Sequence, residues 1–336
     1  MYDKDLDESS PWSIKEGDFP TGGNAEDKLK FLLRYAITAP SSHNTQPWKF
    51  SLENNTVNIF IDRDRWLKVA DSDRRELHIS IGCALENLIV AADHFGYWCE
   101  VDYFSESEKK DPAVSVTFNR PNLQSSSISE DLFEAIRKRG TNHNVYDGKS
   151  IGEKDLKKLQ AISKENGIQL HLTEDPSIKQ KVDNLMVRGD AIQFADPEWR
   201  EELGYWMGQG VFGTSWLTSK MSQLAVTYLN MGKSTAKKDS ELLLSAPILG
   251  VISSRSDERE SRIKAGRTFE RLALAAASLS VSLHPMSQIL EIPELKSEVA
   301  KLIPVSDVYP QQTFRLGYAE PEREHTPRRP LEEVLV

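Results

Sequence analysis

A chain of 336 residues has room for two modules of ordinary size or for one fold built from two halves. Hydrophobic residues at 39% and charged residues at 28% exclude a disordered or fibrous chain. The 42 basic and 51 acidic residues leave a net charge of -9, which repels phosphate backbones and anionic lipid and so argues against a nucleic-acid partner.

The opening stretch "MYDKDLDESSPW" is acidic and polar and lacks the basic-then-apolar order of a secretory signal. No apolar run approaches the roughly 20 residues that cross a bilayer, so the expectation is a cytoplasmic protein with no membrane partner. Residues 1–23 lack periodicity and end in "TGG", the pattern of an arm that lies across something else. After Asn24, a predicted N-cap, Leu29, Leu32, Leu33, Ala36 and Ile37 recur at helical spacing until Pro40 stops them. The polar turn "APSSHNTQPWKF", Ala39 to Phe50, follows at once. "KFSLENNTVNIFID" reads as a hairpin, with Asn54 and Asn55 at its turn and Val57, Ile59 and Ile61 alternating behind it. A long helix is predicted from about Asp73 to His94, with Gly96 just past its end. "CEVDYF" and "AVSVTF" read as strands around an acidic loop, and "NRPNLQSSS" as a polar joint where one half could end near residue 124.

The second part repeats this order loosely. Helices are predicted at 129–139 and 151–165, then the strand "IQLHL", then helices on both sides of the strand "PILGVISS". A long helix from about Asp257 to Leu283 matches the long helix of the first part, and the strand "QQTFRLGYA" precedes a basic tail. The match is in the order of elements and not in letters, which points to an internal duplication. The stretch 196–240 has no counterpart and mixes glycines with tryptophans, as a lid or substrate-facing wall would. Within it Trp206, Phe212 and Trp216 either stack on a substrate or pack in the core.

Several apparent motifs fail on context. "GQGVFG", Gly208 to Gly213, fits the dinucleotide glycine pattern but follows a helical segment where a strand is required. "MGKST" lacks the upstream glycine of a phosphate loop, since Thr227 stands there. The seven histidines are scattered, no serine sits in a nucleophile elbow, and Cys83 and Cys99 read as reduced structural thiols. No metal is indicated.

The turn carries the chemistry. Asn44 and Gln46 each offer a donor and an acceptor, Ser41 and Ser42 add hydroxyls, Pro40 and Pro47 stiffen both ends, and Trp48 supplies apolar area. Such a turn suits a planar ligand with alternating donors and acceptors along one edge, as a flavin has, or it simply caps a helix. "APSSHNTQPWKF" resembles the "APSSxNxQPW" signature of the FMN-dependent nitroreductase family. In that family this segment lines the flavin across a dimer interface and a basic, hydroxyl-bearing turn of the partner holds its phosphate. "RKRGTNHNVYDGKSI" resembles that phosphate turn, with Arg139 and Thr141 at the arginine and serine positions and His143 or Asn144 where a further basic residue is usual. "LHPMSQIL" is similar to the turn whose amides approach flavin N5, which implicates Met286, Ser287 and Gln288. The ending "LGYAEPEREHTPRRPLEEVL" is similar to the family's, with Arg328 and Arg329 placed to reach the phosphate.

The resemblance is strongest to the fused, Acg-like branch and covers the chain from about residue 26 onward, the stretch 196–240 excepted. It implies an α+β nitroreductase-like fold in two tandem halves, each with a mostly antiparallel sheet flanked by helices. The halves are expected at 24–124 and 125–336, with a C-terminal extension at 320–336. The first half has the polar turn without a phosphate turn, and the second has the reverse. A monomeric pseudo-dimer binding one FMN follows, with hydride taken from NAD(P)H at N5 and passed to a nitroaromatic or quinone-like acceptor. On that mechanism the protein needs no acid or base of its own. The rival within the same branch is a protein that sequesters flavin behind a closed lid.

Overall fold

The computed structural model describes residues 10–104, 112–119, 127–163, 165–229, 231–322 and 325–336. The expected acidic loop at 105–111, most of the polar joint and the start of the arm lie outside the described residues. Asn24 caps α1 (Ala25–Ala36) in a reciprocal capping box with Asp27, as the helical pattern requires. The hairpin of β1 (Trp48–Glu53) and β2 (Thr56–Ile61) turns at Asn54, whose φ of 57° is one that asparagine tolerates. Helix α2 (Arg75–His94) then crosses to β3 (Trp98–Tyr103) and β4 (Val114–Asn119). These four strands form one antiparallel sheet ordered β1-β2-β4-β3.

Helices α3 (Ser127–Ile136) and α4 (Glu153–Gln160) lead into β5 (Ile168–Thr173). Four helices follow: α5 (Pro176–Ala195), α6 (Pro197–Gly208), α7 (Trp216–Tyr228) and α8 (Gly232–Ser245). The stretch 196–240 is therefore mostly helical, and Gly208, the first glycine of "GQGVFG", is the last residue of α6. After β6 (Ile248–Ser254) and α9 (Arg259–Ser278) come β7 (Ser282–Pro285), α10 (Pro293–Ala300), β8 (Tyr309–Gly317) and the short α11 (Leu331–Val334). The second antiparallel sheet runs β5-β6-β8-β7, the same order as the first.

The long helix of this half ends earlier than its alanine-rich pattern predicts. Ser280 adopts a left-handed φ of 56°, and the next residues form β7, with Leu283 paired to Leu316 of β8. Pairing along the sheet edge outweighs helix propensity here.

Helices α2 and α9 cross with their backbones in close approach. A Cβ placed on Gly82 would overlap the Ile263 carbonyl, and one on Gly266 would overlap that of Ile79. Beside this crossing the fully buried Glu86 of α2 receives Arg267 Nε at 3.0 Å and Arg271 Nε at 2.6 Å from α9. One apolar core runs through both halves, from Leu32, Phe50 and Leu85 to Phe269, Leu272 and Phe314. The C-terminal segment returns to the first half, where Leu335 bridges Phe50 and the Val336 amide donates to the Phe50 carbonyl at 2.9 Å. Among the described residues no helix is long and apolar enough to cross a membrane.

Candidate functional site

The polar turn is built from left-handed backbone. His43, Asn44 and Gln46 have φ of 47°, 50° and 51°, and the Ser41 hydroxyl holds the bend by accepting the Gln46 amide at 2.9 Å. Asparagine accepts such a φ because its short amide bonds locally. Ser42 is fixed from α2: its amide donates to Ser80 Oγ at 3.3 Å and its hydroxyl donates to Glu76 Oε2. Asn44 Nδ2 donates to the carbonyls of Val211 at 2.7 Å and Pro327 at 2.9 Å. The turn thus ties α2, the loop after α6 and the C-terminal segment together.

At its other end the site is cationic. Arg139, just past α3, and Arg328, in the C-terminal segment, both donate to the Thr38 carbonyl, at 3.2 Å from the Nη2 of each. Arg328 Nη1 also donates to Asn44 Oδ1 at 2.9 Å, so the two ends of the site are joined by one hydrogen bond. The fully buried Glu270 of α9 lies 3.2 Å from Arg139 Nε. Burial pushes the Glu270 carboxyl up to about 7, against the pull of both arginines. Arg328 finds neutral acceptors only among the described residues, and burial with the neighbouring Arg139 lowers its guanidinium to about 9. Of the two buried guanidinium groups only Arg139 therefore has a carboxyl in contact among the described residues, an arrangement that a further anion would complete.

Between these ends lies a cavity of about 640 Å³, a size suited to a small molecule or cofactor. Its wall takes Ser41, Ser42 and Asn44 from the first half and Arg139, Thr141, His143, Ser287, Gln288 and Arg328 from the second. Phe212, from the stretch between α6 and α7, also faces it. Asn44 and Arg139 thus line one space.

Five sequence candidates lie elsewhere. Trp48 starts β1 and points into the core, fully buried. Gln46 is engaged by the C-terminal segment, accepting the Arg329 amide at 2.7 Å. Met286 is packed in an apolar cluster with Leu242 and Ile289, and its amide donates to the Thr313 carbonyl at 2.8 Å. Arg329 pairs with Asp62 at 3.1 Å and, with Trp206, lines a separate cavity of about 470 Å³. Trp206 is 4% exposed and packs with Leu67, Phe194 and Trp199, the core alternative left open by its sequence. Trp216 begins α7, and its side chain lies outside the described residues.

Other wall residues belong to no recognisable motif. Trp12 of the N-terminal arm stacks on His325 with ring centres 3.9 Å apart, and the Arg328 guanidinium lies 4.9 Å from its ring. Glu76, Ser80 and Cys83 face the cavity from α2, and Glu291 and His284 from the second half. Burial raises the Cys83 thiol well above its ordinary value, which keeps it an unreactive thiol. Glu270 was detectable in principle, because a lone carboxylate inside "TFERLALAAA" needs a buried partner.

No protein-family model matches the chain. A Mycobacterium tuberculosis protein provisionally named as an NAD(P)H nitroreductase is 26% identical over 92% of this chain and 91% of its own length. The protein of the same organism provisionally named NAD(P)H nitroreductase acg is 25% identical over 92% and 95%. Serratia sp. contributes a chain provisionally named NAD(P)H nitroreductase PigM, 24% identical over 92% and 93%. Among solved structures, a nitroreductase with bound FMN from Desulfitobacterium hafniense is 12% identical with a TM-score of 0.40, covering 60% of this chain and 95% of that one.

Proposed function

The chain belongs to the nitroreductase superfamily, with Acg-type relatives along nearly its whole length, and we propose that it is an FMN-dependent NAD(P)H oxidoreductase reducing nitroaromatic or quinone-like acceptors. The observation that carries this reading is the single cavity receiving the polar turn from one half and two buried arginines from the other. The residues fit the cofactor. The further anion that would complete the pair of Arg139 and Arg328 is what a flavin phosphate would supply, and bidentate guanidinium contacts are strong ones. Ser41, Ser42 and Asn44 with Ser287 and Gln288 supply donors and acceptors along the rest of the wall.

When bound, the flavin supplies hydride transfer between the nicotinamide and the acceptor. The chain's own contribution is to place the ligand and to exclude water. Thr38, by receiving both guanidinium groups on one carbonyl, fixes the distance between the two cations. Asn44 relays that position to the turn through its bond from Arg328. Trp12 and His325 cover the cationic end, and Phe212 forms part of the wall near the turn.

A second reading, a protein that holds flavin and keeps substrates out, is favoured by one feature. Asn44 bonds directly to the Val211 carbonyl, so the segment bearing Phe212 is latched to the turn. An absorption spectrum of purified protein, followed by NADH and then NADPH, separates the readings. The oxidoreductase gives a yellow protein with flavin near one per chain that bleaches with a nicotinamide and recovers with a quinone. Bleaching by dithionite alone selects the second reading, and protein left colourless after incubation with FMN overturns both.

A further inference from the structure

The part of the cavity wall between α2 and the loop after β7 carries two carboxyl groups that a purely flavin-borne reaction leaves without a task. Glu76 is the second residue of α2. Its Oε2 accepts the Ser42 hydroxyl, and its Oε1 lies 2.6 Å from Arg75 Nη2. Glu291 comes from the other half, one residue past the 3-10 turn Gln288–Leu290, and its Oε2 accepts Gln193 Nε2 at 2.6 Å. Both face the same space, beside Ser42, Ser80, Ser287 and Gln288.

The two carboxyls are not equivalent. Glu76 has the fully buried Arg75 beside it, whereas Glu291 has the neutral Gln193 amide. Burial raises Glu291 well above its ordinary value, the Glu76 charge and Asp71 raise it further, and Arg75 opposes them. Asp71 is itself pushed up to about 7, by burial and by Glu76, while capping α2 through the amides of Glu76 and Leu77 at 2.8 Å. Glu76 thus has a guanidinium in contact, whereas Glu291 meets an amide, and burial first of all favours the protonated form of Glu291.

We propose that Glu291 is the general acid of this cavity, giving its proton to the oxygen of a quinone-like acceptor seated between Ser42 and Gln288. This rests on the oxidoreductase reading above. The acceptor gains a hydride equivalent, two electrons and one proton, that originates in NAD(P)H. The Glu291 O–H bond breaks and an acceptor O–H bond forms as the acceptor carbonyl is reduced, giving a hydroquinone. The carboxylate left on Glu291 regains a proton from water through the cavity mouth. Glu76 is the positioning residue that orients Ser42.

The test is Glu291→Gln, which keeps an acceptor for Gln193 and removes the acid. With FMN-loaded protein, reoxidation by a quinone is expected to slow roughly a hundredfold more than bleaching by NAD(P)H slows. The parent's reoxidation rate is expected to fall as pH rises through the Glu291 value, and the variant's rate to be flat over the same range. In the flavin-free protein at neutral pH, the infrared C=O stretch of a protonated carboxyl should be weaker in the variant than in the parent. Equal slowing of both half-reactions, or a pH-independent reoxidation in the parent, overturns the acid role even if the variant fails to fold. A parent that neither nicotinamide bleaches overturns the oxidoreductase reading first, and the acid role with it.

Discussion

The first sheet runs β1-β2-β4-β3 and the second β5-β6-β8-β7, and each half threads a helix of 20 residues, α2 or α9, between its second and third strands. The equipment around these scaffolds differs. The first half has the turn with three left-handed residues, and the second has Arg139, Glu270, the helices α6 to α8 and the returning C-terminal segment. What is repeated builds the junction, and what is not repeated builds the cavity at that junction. A fused pair can specialise its two copies in this way, because each position is encoded twice and can change once.

The repeated part should tolerate least. Gly82→Ala or Gly266→Ala sets a methyl against a backbone carbonyl of the opposite helix, and neither helix can move away without disturbing the Arg267 and Arg271 contacts to Glu86. Each is expected to cost about 3 kcal/mol or more, and the double change to leave no cooperative melting transition. Thermal melting followed by circular dichroism measures this. A melting temperature equal to the parent's would mean that the two halves meet loosely and that the comparison of scaffolds has no energetic content.

The unrepeated part should govern the ligand instead. Arg139→Ala combined with Arg328→Ala is expected to weaken FMN retention roughly a hundredfold, about 3 kcal/mol, because the phosphate then has no guanidinium to pair with. Lys157→Ala on α4, an exposed residue paired with Glu153, is expected to change nothing. Equal retention in all three proteins, measured by recovery of free flavin fluorescence on dilution, would remove the arginines from the site.

The scaffold was legible in the sequence because its signals are local. The capping box at Asn24, the paired asparagines of the first hairpin and the apolar stripe of α2 each sit within a few residues of the element they specify. The turn and Arg139 were legible only by resemblance, since nothing in "RKRGTN" states that its arginine meets Thr38 of the other half. Strand β7 was missed because its reason to exist is the edge of β8. Gln46, Trp48 and Arg329 fall within recognisable motifs yet face away from the cavity, because a motif fixes residue types and the fold fixes where they point. Glu291 gave no signal at all: its partners Gln193 and Glu76 lie 98 and 215 positions away in the chain (291 - 193 and 291 - 76).

Glu270 offers a finer probe of the same division, through pH. Its folded value is raised from 4.5 to about 7, so between those limits the folded protein holds a proton that the unfolded chain has released. The stability it contributes is complete below about pH 4.5 and is lost as pH rises through about 7. Glu270→Gln stays neutral throughout. The melting temperature of the variant minus that of the parent is therefore expected to rise over that window and to level off on either side. Asp71, Asp190 and Asp239 are also raised but are common to both proteins and cancel in the difference. A difference that does not vary with pH would mean that Glu270 remains ionised and fully satisfied by the two arginines.

The smallest effect is expected where the N-terminal arm meets the cationic end, and it tests whether the arm helps to close this end. Trp12 is 5% exposed, its indole N–H donates to the Thr326 carbonyl at 2.9 Å, and its ring lies between the imidazole of His325 and the guanidinium of Arg328. Burial and the charges of Arg139 and Arg328 lower His325 to about 4, so at neutral pH the stack adds no third cation. A ring over a partly desolvated guanidinium contributes about 1 kcal/mol, and Trp12→Ala should therefore release FMN about fivefold faster. Trp12→Phe keeps the ring and loses only the N–H, and should fall between the parent and Trp12→Ala. If Trp12→Ala retains FMN as the parent does, the arm is a bystander, and the cation pair closes its end of the cavity without help from the arm.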